Sequence, residues 1–124
     1  MGLRSVDAVA FSMPGGESSG SSRGRPVDLV HLSRQTMGDR DLEREVLALF
    51  VQQATIVRDQ IVNANVAERM RLAHTLKGSA RSVGAFGIAE CTVEIEKRPD
   101  SKPLMKRLAE QIDDVRDFIA AISR

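Results

Sequence analysis

Apolar residues recur at spacings of three and four from Val27 onward, and no segment alternates with period two for long enough to argue a strand. Asp28 can cap a short first helix with Leu29 and Leu32 on one side and Val27 placed to staple against Leu32; Gly38 stops it. Asp39 then caps a long second helix, where Leu42, Val46, Leu49, Phe50, Ala54, Val57 and Ile61 form a stripe expected to face a core. Asn63, Ala64 and Asn65 break that pattern, and a third helix follows from about Val66 to Val83, closed by Gly84 as a left-handed cap. The connection is short, so these two helices should run antiparallel. The run AFGIAECTVEIEKR predicts a fourth helix ending before Pro99, and Ser101 or Asp100 can cap a fifth with Pro103 in its first turn. Leu104, Leu108, Ile112, Val115, Ile119 and Ile122 are its expected buried stripe. The fold class is all-α: an up-and-down four-helix bundle with a short additional N-terminal helix.

Ahead of the bundle, SMPGGESSGSSRGRP is too rich in Gly, Ser and Pro to bury the apolar surface that offsets chain entropy. Residues 1–26 are expected as a flexible tail, with Val6, Ala8, Val9, Ala10 and Phe11 its apolar cluster, and residues 27–124 as the bundle. A length of 124 residues suits one domain. With 18 Lys plus Arg against 17 Asp plus Glu, the chain has no overall bias toward nucleic acid or anionic membrane, so any charge argument is local. The four aromatic residues are all Phe, which leaves an aliphatic, Ala-rich core. Cys91 is alone, and with two separated histidines, His31 and His74, it falls short of a zinc site. No stretch approaches the ~18 apolar residues of a membrane span, and Asp7 interrupts what would be a signal-peptide core. A reducing, cytoplasmic setting is the expectation, and Met1 favours a free-standing chain.

The third helix carries the chemistry. On a wheel of about 100° per residue, Leu72, Leu76, Ala80 and Val83 share one side, while Ala67, Met70, Arg71, His74, Lys77, Gly78 and Arg81 share the other. A lone helical His is most often a surface residue without a task, but its neighbours change that reading. Gly78 follows one turn later on the same face, although Gly inside a helix costs ~1 kcal/mol relative to Ala. Either a neighbouring helix packs there, or the notch lets another macromolecule approach the imidazole. Lys77 sits at i+3 from His74, Arg71 and Arg81 extend the positive patch one turn each way, and with Arg69 the helix carries four cations against Glu68.

The segment AHTLKGSARSVGA, from Ala73 to Ala85, resembles the signature of histidine-containing phosphotransfer (HPt) domains of two-component phosphorelays, with His74, Lys77 and Gly78 matching the family's H-x-x-K-G core. Gly84, ten residues past the His, and a following helix with Ile88, Ala89, Val93 and Ile95 agree with it, so the likeness covers about Val27 to Ser123. The resemblance implies that His74 exchanges a phosphoryl group with the aspartate of a response-regulator receiver domain, or accepts it from a sensor or hybrid histidine kinase. Lys77 would stabilise the phosphate, and Gly78 would give the partner access. Nε2 is the family's usual acceptor, so a carboxylate on Nδ1 would select the right tautomer. Glu96, 22 residues beyond His74 on the fourth helix, is the candidate for that role, with Glu94 and Glu90 as alternatives.

Docking is expected on Ala67, Met70 and Phe86, or on exposed residues of the second helix, ringed by Arg71, Lys77 and Arg81. No cofactor or metal is expected on this chain, since the receiver's acidic pocket would bring Mg²⁺. Neither a phosphate-binding loop nor a dinucleotide turn is present, so autophosphorylation is not expected. A monomer is the simplest expectation, nothing resembling a long heptad seam. The alternative reading is a helical module that binds a receiver without accepting phosphate. A nucleic-acid-binding bundle using Arg69, Arg71, Lys77 and Arg81 is disfavoured by near-neutral charge and the lack of stacking aromatics.

Overall fold

A computed structural model describes residues 25–123, which contain five helices: α1 (Leu29–Gln35), α2 (Arg40–Ile61), α3 (Val66–Val83), α4 (Phe86–Lys97) and α5 (Lys102–Ile122). The stretch expected as a tail, with Val6 to Phe11 inside it, lies outside the described residues apart from Arg25 and Pro26. Among the described residues there is no strand, and no helix is long and apolar enough to cross a membrane.

Four of the five helix starts are fixed by side chains. Asp28 Oδ1 accepts from the backbone N–H groups of Val30 and His31 at 3.1 Å each, and Asp39 accepts from Leu42 at 3.0 Å. Asn65 accepts from Glu68 at 2.9 Å and Ser101 from Leu104 at 3.4 Å. Such caps satisfy N–H groups that lack an intrahelical acceptor and contribute about 1 kcal/mol each. Only α4 starts without one, at Ala85.

Glycine is required at the α3–α4 turn. Gly84 has φ +89°, and a Cβ there would lie 2.8 Å from the backbone oxygen of Asp28. The same close approach lets the Asp28 N–H donate to the Gly84 carbonyl at 2.9 Å, anchoring the start of α1 on the turn.

α3 packs against α2 and α4, and α5 closes the ring against the same two, leaving α3 and α5 diagonal. The core between them is aliphatic: Leu47, Ala54, Ile61, Leu76, Ile88, Ile95, Leu108 and Ile112 are buried in it, with Phe50 among them. Two expectations about its membership need correcting. On α2, Leu49 is 65% exposed and Leu42 39%, while Leu47 is buried in their place. The helix carries two interleaved stripes at three-and-four spacing, and the one through Leu47, Phe50, Ala54, Val57 and Ile61 faces inward. On α5, Met105 joins the core whereas Ile122 is 45% exposed and Ile119 only half-buried, because the helix runs to the rim of the bundle.

Arg69 also departs from its expected place in the positive patch. It donates to the carbonyls of Ile61 at 2.8 Å, Val62 at 2.7 Å and Pro99 at 3.0 Å. Its guanidinium thereby satisfies acceptors at the end of α2 and fastens the α4–α5 connection beneath the site.

Candidate phosphotransfer site

The inward face of α3 is Leu72, Ala73, Leu76, Ala80 and Val83, and this fixes what the helix shows to solvent. His74 is turned outward with 71% of its side chain exposed. α4 returns beside α3 after the Gly84 turn, and its last turn brings Glu96 level with the imidazole. Glu96 Oε2 lies 3.2 Å from His74 Nδ1, and Oε1 accepts from Lys77 Nζ at 2.6 Å. One carboxylate thus joins the ring and the ammonium. Its own side chain is 24% exposed and that of Lys77 19%, so this pair is sheltered beneath an open histidine.

The Lys77 ammonium holds the Glu96 carboxyl below the usual carboxylate range, opposed by partial burial and reinforced by His74. An ionised carboxylate can only accept, so this contact selects, for a neutral imidazole, the tautomer with its proton on Nδ1 and the lone pair on Nε2. Glu94 and Glu90, the alternatives on the same helix, do not bond to the ring. Glu94 is held by Arg98 at 3.0 Å and Lys97 at 3.6 Å, and Glu90 is exposed.

Gly78 lies one turn above His74, and a Cβ built on it would meet no atom within 4 Å. Of the two explanations for this helical glycine, close packing by a neighbouring helix is therefore ruled out. What remains is an open notch beside the imidazole.

The remaining candidates divide. Ala67 and Met70 are exposed below His74, Met70 by 42%. Arg71 is exposed but paired, through Nη2 and at 3.2 Å through Nε, with Glu68 one turn earlier. Arg81 is exposed two turns above His74 and makes no ion pair among the described residues. Phe86 is half-buried, its ring 5.1 Å from that of His31 in an edge-on arrangement at 69°, so it faces α1 in part.

Further apolar residues are exposed on α2, where exposed positions were expected without being named, and around the α2–α3 connection. Val62 and Val66 are 55% and 50% exposed ahead of Met70, and Leu49 and Ile56 are 65% and 51% exposed on α2. The signal for the α2 pair was present in the seven-residue spacing of Leu42, Leu49 and Ile56, a second stripe that one buried face cannot absorb. Among the described residues no three His, Cys, Asp or Glu side chains cluster where they could hold a metal ion.

No curated protein and no solved structure matches this chain. The family model of the Hpt domain matches residues 45–118, well over half of the sequence and running from α2 into α5 with His74, Lys77, Gly78 and Glu96 inside it. The chain belongs to the Hpt domain family, whose members carry out histidine phosphotransfer in phosphorelays.

Proposed function

We propose that His74 is the phosphoacceptor of this Hpt domain and that it exchanges phosphate with the aspartate of a receiver domain. The observation that carries the reading is the pairing of His74 Nδ1 with Glu96 at 3.2 Å on an exposed ring beside an open Gly78, a contact that favours the tautomer with Nε2 free to act as nucleophile. In the accepting direction, the Nε2 lone pair attacks the phosphorus of an aspartyl phosphate. The P–O bond to the aspartate breaks, the N–P bond forms, and the carboxylate leaves with the electron pair. The Nδ1 proton stays on the ring, held by Glu96, and the donating direction reverses these steps.

Such transfer passes through a loose, in-line transition state, so its catalysis consists of positioning and charge stabilisation. Glu96 positions the ring, and Lys77 is the cation within reach of the new phosphoryl oxygens. Glu96 is already committed to both residues, so a divalent cation is the receiver's contribution. Docking falls on the face around His74, where Gly78, Ala67 and Met70 present small or adaptable surface and Leu49 and Ile56 extend it across α2. The working unit is a monomer presenting this face to one partner at a time.

The test is transfer of labelled phosphate from phosphorylated receiver domains of the same organism to wild type and to His74→Gln. Acid-labile, base-stable label on wild type and none on the variant is expected. Equal labelling of a folded His74→Gln protein would refute the site. Receivers that bind wild type without ever labelling it would instead indicate a docking module.

A further inference from the structure

The three cations that flank His74 on α3 are not equivalent. Arg71 is neutralised by Glu68 and Lys77 by Glu96, each within the chain. Arg81 is exposed and has no acidic partner among the described residues. It follows His74 by seven residues, two helical turns, so it lies ~10 Å along the axis and on nearly the same line. Between them stands Gly78, with nothing within 4 Å of where a Cβ would be.

A partner that places an aspartate against Nε2 must come in over this notch. A specific interface covers ~800 Å² on each side, a patch ~30 Å across, so one centred on His74 also covers Arg81. Enclosing a guanidinium without an acceptor is unfavourable, because the lost hydration is not replaced. The group whose geometry matches its donor fork is a carboxylate. Resting on the phosphotransfer reading above, we infer that Arg81 binds a carboxylate on the receiver's docking face, roughly two helical turns from the phosphoacceptor aspartate, and thereby discriminates among receivers. A receiver with a basic or apolar residue at that place is rejected by repulsion or by the stranded charge.

The experiment uses the full chain and takes, from a panel of phosphorylated receiver domains, the one that labels His74 fastest. Second-order transfer rates are compared for wild type, Arg81→Lys and Arg81→Glu, with phosphoramidate as a small donor that has no docking face. Arg81→Glu is expected to slow transfer from the receiver by about ten-fold or more, and Arg81→Lys by about two- to five-fold, as a point charge replaces the fork. Labelling by phosphoramidate should not follow that order. Raising salt from about 0.05 M to about 0.5 M should slow wild type more than Arg81→Glu.

An Arg81→Glu protein as fast as wild type with every receiver would overturn the inference while leaving His74 as the phosphoacceptor. Equal slowing toward receiver and phosphoramidate would also overturn it, since the residue would then act on the ring or the fold. A wild-type protein labelled by neither donor would sink the phosphotransfer reading, and this inference with it.

Discussion

Glu96 is the residue whose removal separates positioning from docking. In Glu96→Ala, His74 Nδ1 loses its acceptor at 3.2 Å and Lys77 Nζ loses its partner at 2.6 Å. A sheltered hydrogen bond to a charged group is worth about 1.5–3 kcal/mol. The imidazole is 71% exposed, so solvent competes for Nδ1, and a value of about 1 kcal/mol is appropriate, corresponding to roughly five-fold in transfer rate. Ring ¹⁵N shifts should show Nε2–H gaining population in the variant, and labelled-phosphate transfer should slow by that factor. Glu96→Gln keeps an acceptor oxygen for Nδ1 but no charge for Lys77, so it should retain the tautomer better than Glu96→Ala. The pH dependence has a definite sign. Lys77 and then His74 depress the Glu96 carboxyl in the folded state, so the stabilisation is fully present above the usual carboxylate range. It is lost as pH falls through the depressed value. The stability gap between wild type and Glu96→Gln, measured by denaturant unfolding, should therefore be present at neutral pH and close in acid. A Glu96→Ala protein with wild-type ring shifts and wild-type transfer would show that Glu96 does not position the imidazole.

Two glycines should respond in opposite ways. Gly78→Ala puts a methyl into open space, so it should stabilise the fold by about 1 kcal/mol, or about 4–8 °C in Tm by circular dichroism, through helix propensity alone. Gly78→Glu should fold equally well yet block transfer from receivers; a destabilised Gly78→Ala would mean that the notch is packed in solution. Gly84→Ala should lower stability by about 2–4 kcal/mol, because φ +89° is left-handed and the new Cβ would sit 2.8 Å from the Asp28 carbonyl oxygen, where backbone must move. An unchanged Tm would show that the α1 anchor on the turn is not rigid.

The helices were legible because their punctuation is local. Asp28, Asp39 and Ser101 precede the segments they start and Gly84 follows the one it stops, while Asn65, read in sequence only as part of a break in the pattern, caps α3 in the fold. What the pattern left open was which of two stripes on α2 faces inward. Leu42 and Leu49 satisfy the same spacing rule as Leu47 and Phe50, and only the placement of α3 and α5 around α2 decides between them. The juxtaposition of Glu96 with His74 was within reach because the family resemblance implies a Gln or Glu at that place, and because α3 and α4 form a hairpin around a single short turn. The partner of Phe86 was not, since His31 comes from α1, on the far side of a long stretch of chain.

Charged residues were the least legible, because a charge reveals its task only once the nearest acceptors are known. Arg69 and Arg71 stand two positions apart on one helix, yet the first serves backbone carbonyls of α2 and the α4–α5 connection while the second meets Glu68 in solvent. Lys77 looks in sequence like a cation waiting for phosphate, whereas in the fold it is held by Glu96. That attachment bears on how the domain would carry a phosphoryl group. With Lys77 and Glu96 balancing one another, little uncommitted positive charge lies beside the ring, and among the described residues no second carboxylate bonds to the imidazole to activate water against an N–P bond. On the phosphotransfer reading, the missing charge stabilisation would come from a docked receiver, or from Lys77 turning from the carboxylate to the phosphoryl oxygens. Phosphate on His74 would thus be comparatively inert in the free domain and reactive in the complex, which is the behaviour a relay requires.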